Sequence, residues 1–118
     1  MAAAPGKSRI HHEPLGVVLI YGAWNFPILL SIAPLIQAIA TGNAAVVKPS
    51  EMAPACSAII KVLVETYLDT DLYRVIEGGP EIAMVIGDHP WDMIVFTGST
   101  MKGKLVAAAA AKNLVPCI

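Results

Sequence analysis

Gly16-Val17-Val18-Leu19-Ile20-Tyr21-Gly22-Ala23-Trp24-Asn25-Phe26-Pro27 is a β-branched run stopped by a glycine and followed by one amide set between two aromatic residues. Such a run reads as a strand feeding a turn. Working outward, three more segments share the design. Ala44-Ala45-Val46-Val47-Lys48 stops at Pro49, Tyr73-Arg74-Val75-Ile76-Glu77 at Gly78-Gly79, and Asp92-Met93-Ile94-Val95-Phe96 at Thr97-Gly98. None alternates cleanly between apolar and polar. Uninterrupted apolar strands belong to sheets covered on both faces, which are usually parallel.

Helical patterns separate the strands. Residues 28 to 41 are apolar nearly all round, and Pro34 either kinks that helix or begins its regular part. Pro54 suits a helix start, and Ile59, Ile60, Leu63, Val64, Tyr67 and Leu68 then recur at helical spacing, with Lys61 and Glu65 as an i,i+4 pair on the other face. Glu81 to Ile86 is a short helix. Ser99 to Lys112 is a longer one, with Ser99 as N-cap and an alanine run of high propensity. The order β-α-β-α-β-α-β-α, with Val115 to Ile118 as the start of a fifth strand, predicts right-handed crossovers and a doubly wound α/β sheet.

The composition limits what the chain can be. Its 118 residues allow one domain. Only 14% are charged, against roughly 25% in ordinary soluble domains, and mean hydropathy is +0.65. A small domain needs polar residues to cover its large relative surface. So sparse a charge implies that much of this surface is covered, either by further parts of a larger enzyme, by a tight oligomer or by a membrane. The membrane candidate is the uncharged stretch from Pro14 to Val47, which is interrupted by Pro27, Pro34, Asn25, Gln37, Gly42 and Asn43. Net charge is −1 with no basic run, so no nucleic-acid partner is expected. Cys56 and Cys117 have no metal-ligand pattern around them, and His11, His12 and His89 have no ligand spacing; no metal is expected, and a reducing compartment is the default. Residues 1–12 read as a disordered lead without signal-peptide character, ahead of the domain at 13–118. With no targeting signal or membrane anchor in the chain, the expectation is cytoplasmic, with no organelle fixed.

Open parallel sheets bind ligands at the carboxyl ends of their strands. Every turn just quoted sits at such an end. Asn25 is either a turn asparagine bonding its own backbone or a neutral donor for developing negative charge on oxygen. Lys48 and Glu51, spaced by Pro49-Ser50, are either a surface ion pair or a donor–acceptor couple suited to a diol. Gly98-Ser99-Thr100-Met101-Lys102-Gly103 is either a plain cap or a phosphate site at a helix start, where unbonded N–H groups and the dipole favour an anion. Gly98 lets backbone come close. Gly78-Gly79 is either a simple turn or part of the same rim. The G-x-G-x-x-G fingerprint is absent.

Taken in order, Gly22-Ala23-Trp24-Asn25-Phe26-Pro27, Val47-Lys48-Pro49-Ser50-Glu51 and Phe96-Thr97-Gly98-Ser99-Thr100 resemble the nicotinamide-binding half of an aldehyde dehydrogenase, closest to the class 3 branch that acts on fatty and aromatic aldehydes. The resemblance runs from about His12 to Ile118. It implies a Rossmann-like doubly wound parallel sheet, here an incomplete fragment of the aldehyde dehydrogenase fold forming a partial dinucleotide-binding domain. It implies Asn25 in the oxyanion hole, Lys48 and Glu51 on the adenosine ribose, the loop at Gly78 near the adenine, and Gly98, Ser99, Thr100 and Gly103 at the pyrophosphate. NAD is the implied cofactor, with NADP possible; an aldehyde is the substrate, and the parent family pairs as homodimers. Pro80 departs from the commoner residues of that loop. The family nucleophile is a cysteine in a glycine-rich context further along, and a general-base glutamate activates the water that releases the acid; neither Cys56 nor Cys117 matches that cysteine. The expectation is therefore that the family oxidises aldehydes to acids while this chain alone is inactive. A non-catalytic module that binds NAD or pairs with full-length subunits is the rival reading, and a membrane-embedded segment is a third.

Overall fold

The computed structural model describes residues 6–118. Four strands and four helices alternate along the chain: β1 (Val17–Tyr21), α1 (Pro27–Ala40), β2 (Ala44–Lys48), α2 (Pro54–Tyr67), β3 (Tyr73–Val75), α3 (Pro80–Gly87), β4 (Met93–Phe96) and α4 (Thr100–Lys112). The strands form one parallel sheet in the order β3-β2-β1-β4. Tyr21 lies beside Lys48 on one side and Phe96 on the other. All four carboxyl ends therefore open on one edge, and the order reverses between β1 and β4. A crevice forms at such a switch point because successive connections leave in opposite directions.

Both faces of the sheet are covered, as the apolar runs require. Val18 and Ile20 of β1, with Ala45 and Val47 of β2, pack against Leu35 and Ala38 of α1 and Ile60 and Val64 of α2. Leu19, Tyr21 and Ile94 pack on the opposite face with Ile86 of α3 and Ala110 of α4. Alternate residues of β1 thus serve two cores, the period-2 rule applied to a strand buried on both sides.

Local chemistry sets the boundaries. α1 begins at Pro27, where the missing N–H is no loss, and passes through Pro34, so that proline lies inside the helix and does not start it. Thr41 closes α1 with its N–H and hydroxyl both directed to the Gln37 carbonyl, and Gly42 follows with φ +78. Side chains then tie the amino-terminal edge of the sheet. Asn43 Oδ1 accepts from Gly16 N at 2.9 Å while its Nδ2 donates to Thr41 Oγ1 at 2.7 Å. Asp92 Oδ2 accepts from Val17 N at 2.7 Å. The expected fifth strand is present as a short parallel bridge: Ile94 and Phe96 donate to the Pro116 and Ile118 carbonyls, both at 2.9 Å.

The uncharged stretch from Pro14 to Val47 resolves into β1, a turn, α1 and β2. No helix among the described residues is long and apolar enough to cross a membrane, so the membrane-embedded reading has no element to carry it. Of the expected lead, residues 1–5 lie outside the described residues, and residues 6–15 carry no helix or strand.

Candidate functional site

An open cleft of about 730 Å³ runs from the rim of the sheet into the groove between α3 and α4, within the roughly 300–1,000 Å³ range of small-molecule sites. Tyr21 and Phe96 line it from the sheet, in edge-to-face contact at 6.0 Å. Small residues line it, Ala83 and Gly87 on α3 and Ala108 and Ala109 on α4, beside the larger Met84, Leu105 and Val106. A Cβ at Gly87 would lie 2.9 Å from the Tyr21 hydroxyl, so a larger residue there would push α3 off the sheet. Tyr21 holds that helix by donating to the Ala83 carbonyl at 2.7 Å. Burial, with the negative charge of Asp88 adding to it, pushes the Tyr21 phenol up to about 12, so it remains a neutral donor. At the far end, Lys112 Nζ meets Asp88 Oδ1 at 2.8 Å and bridges α4 to the end of α3.

The other end of the cleft is polar. Lys48 closes β2 with its side chain only 4% exposed. A buried ammonium is costly unless it is partnered. Its Nζ donates to the Pro49 carbonyl at 3.0 Å and to Glu51 Oε2 at 3.2 Å. An ammonium carries three donors, so one proton remains for a ligand acceptor. Burial by itself would raise the Glu51 carboxyl. Its own backbone N–H, the Lys48 hydrogen bond, and the charges of Lys48 and Lys102 outweigh that and hold it below its ordinary value. Glu51 is thus an ionised acceptor, with its side chain 42% exposed.

The turn after β1 lies against this couple. Gly22 N donates to the Lys48 carbonyl at 3.0 Å, and a Cβ at Gly22 would fall on Ser31 Oγ. Asn25 is exposed and lines the cleft; among the described residues its carboxamide makes no hydrogen bond, so it does not close its own turn. After β4, Gly98 and Ser99 also line the cleft. A Cβ at Gly98 would press to 2.5 Å from the Phe96 ring. Ser99 caps α4, its Oγ accepting from Lys102 N at 3.3 Å. The first N–H groups of α4 have no partner within the helix.

Asn25, Lys48, Glu51, Gly98 and Ser99 therefore meet around one space. Gly78, Thr100 and Gly103 lie outside its lining. Gly78 has φ +142 and no room for a Cβ beside Ile82, so it shapes the passage from β3 to α3. Gly103 faces the Phe96 ring, where a Cβ would stand 3.4 Å from Cε1, and serves the seating of α4 on the sheet. Thr100 opens α4. Tyr21, Lys102 and the α3–α4 groove carry no role in the sequence reading above. No group of three or more metal-ligating side chains occurs among the described residues.

A parallel sheet of this order, with its crevice at the β1–β4 reversal, places the chain among Rossmann-like α/β proteins. The family model described as "Aldehyde dehydrogenase family" matches residues 2–118, and the chain belongs to that family. It is 51% identical over 114 residues to aldehyde dehydrogenase family 3 member I1, chloroplastic, of Arabidopsis thaliana, covering 97% of this chain and 21% of that protein. It is 52% identical over 108 residues to aldehyde dehydrogenase, dimeric NADP-preferring, of Mus musculus, covering 91% of this chain and 24% of that protein. A solved structure of Staphylococcus aureus AldH in its substrate-bound state superposes with a TM-score of 0.87 at 46% identity, covering 89% of this chain and 23% of that one. The chain spans roughly a fifth to a quarter of the length of these relatives.

Proposed function

We propose that this chain forms the dinucleotide and oxyanion side of an enzyme that oxidises aldehydes to carboxylic acids with NAD or NADP. The observation that carries the reading is the meeting of Asn25, Lys48, Glu51, Gly98 and Ser99, which come from three strand ends, around one cleft. The residues present fit a dinucleotide. The groove between α3 and α4 is apolar enough for a base, the Lys48–Glu51 couple offers a donor and an acceptor to a ribose diol, and the N–H groups at the start of α4, beside Gly98 and Ser99 on the cleft wall, suit a phosphate. When bound, the cofactor supplies the hydride acceptor. Asn25 offers its amide N–H to the aldehyde oxygen as negative charge develops there, a role that an unengaged side chain can fill without first breaking a bond.

Neither Cys56, on α2, nor Cys117, beside β4, lines the cleft. In this chain by itself the cleft binds but does not turn over aldehyde. Two copies pair, as the name of the mouse relative describes for that protein.

The test is calorimetric titration of NAD against the protein and its Lys48→Ala and Glu51→Ala variants. Each variant loses a charge-assisted contact and weakens binding by about tenfold. Binding that neither change weakens sinks the ribose assignment.

A further inference from the structure

The cleft is lined by three lysines, Lys48, Lys102 and Lys112, against two carboxylates, Glu51 and Asp88. Two of the lysines are committed: Lys112 to Asp88 at 2.8 Å and Lys48 to Glu51 at 3.2 Å. Among the described residues the Lys102 ammonium has no ion pair, and only its backbone N–H is engaged, by the Ser99 cap. Its position is also unfavourable for the helix. Lys102 lies in the first turn of α4, where the macrodipole disfavours a cation. The residue is exposed and contributes nothing to either core. A local rule broken without a structural gain marks a functional position.

We propose that Lys102 is the residue that lets this cleft accept the 2′-phosphate of NADP beside the Lys48–Glu51 couple. The inference rests on the cofactor reading above and deepens it. A carboxylate at the ribose end repels a 2′-phosphate, which alone would restrict the site to NAD. Here the Glu51 charge is met by Lys48 within the couple, and the surplus positive charge that remains in the cleft is that of Lys102. Lys102 and Glu51 both line this cleft. An ammonium on a flexible stem suits a mobile terminal phosphate, which it holds as a point charge without fixed geometry.

NAD and NADP are titrated separately into the protein and its Lys102→Met and Lys102→Arg variants, at low and raised salt. Lys102→Met is expected to lower the NADP-to-NAD affinity ratio by about tenfold, the scale of one charged hydrogen bond in a half-open site, and Lys102→Arg to keep it. Raised salt should weaken NADP more than NAD in the parent protein and should lose that difference in Lys102→Met. Should Lys102→Met not fold, Lys102→Gln at the same exposed position reads the same ratio. If NAD binds and the ratio is unchanged in the methionine or glutamine variant, Lys102 is not the determinant, and the cofactor reading stands without it. If neither dinucleotide binds the parent protein, the cofactor reading falls and the proposal falls with it.

Discussion

Gly22 and Ser31 form an interlock whose energetics can be worked out in both directions. Ser31 is fully buried in α1, and among the described residues its Oγ is the buried side-chain oxygen left without a hydrogen-bond partner. It occupies the space that a Cβ on Gly22 would need. Gly22→Ala should therefore cost about 1–3 kcal/mol, the usual range for overpacking a tight site. The glycine's φ is not in the left-handed region, so the clash alone carries the cost. Ser31→Ala removes a buried hydroxyl that nothing satisfies, and should be neutral or stabilising by up to about 1 kcal/mol. With the hydroxyl gone, an alanine Cβ at position 22 meets the residue-31 Cβ at 3.4 Å and Pro49 Cα at 3.6 Å, which are ordinary contacts. The double variant should then recover most of the loss, with a coupling energy of about 1–3 kcal/mol. Chemical denaturation of the four proteins, with midpoints and slopes compared, measures the cycle. Additive effects would show that the two residues do not compete for the same volume, and the geometry assigned to this turn would be wrong. The cycle bears on function because Gly22 leads into the turn of Asn25 and Pro49 separates Lys48 from Glu51.

Two pH dependences follow from the same rim. Tyr21 has its phenol raised from 10.0 to about 12, so the folded state favours the neutral form; its stabilising effect is complete below pH 10 and is lost as pH rises from there toward 12. Unfolding midpoints across that alkaline range should fall for the parent protein and flatten in Tyr21→Phe, and parallel curves would refute the assignment. Glu51 is shifted the other way: its contribution is present above its ordinary value of 4.5 and is lost as pH falls through the lowered native value. Glu51→Gln should remove that part of the acid limb, and an unchanged limb would mean that the Lys48 contact is weak in solution.

The sheet was legible because its strands are unbroken apolar runs, and Val18, Ile20 and Val47 had no alternative to burial on a two-sided sheet. Helix starts agreed within a residue at α2 and α4 because Pro54 and Ser99 mark them by covalent geometry and by capping. Pro34 was ambiguous in sequence because its lost N–H is tolerated once flanking turns are packed, a tertiary effect. The site divides the same way. Asn25, Lys48 and Glu51 follow strand ends directly, so topology alone brings them together. Lys102 was not legible as a cleft residue, because only the order β3-β2-β1-β4 brings the start of α4, after β4, to the same rim as the end of β2. The α3–α4 groove is made by what is missing from Ala83, Gly87 and Ala109, and small side chains leave no periodic signal. Gly103 packs beside the Phe96 ring, outside the cleft lining.

The hydrogen bonds made by Asn43 and Asp92 act at the margin of the sheet opposite the cleft. They behave as a datum for the register of β1 against its two neighbours. A strand is read in steps of about 3.3 Å, and a slip of one step inverts every side chain. Such a slip in β2 would turn Lys48 away from the space it now serves. Cleft lining and strand alignment thereby lie at opposite margins of one sheet, and the alignment that aims the rim residues is fixed from behind.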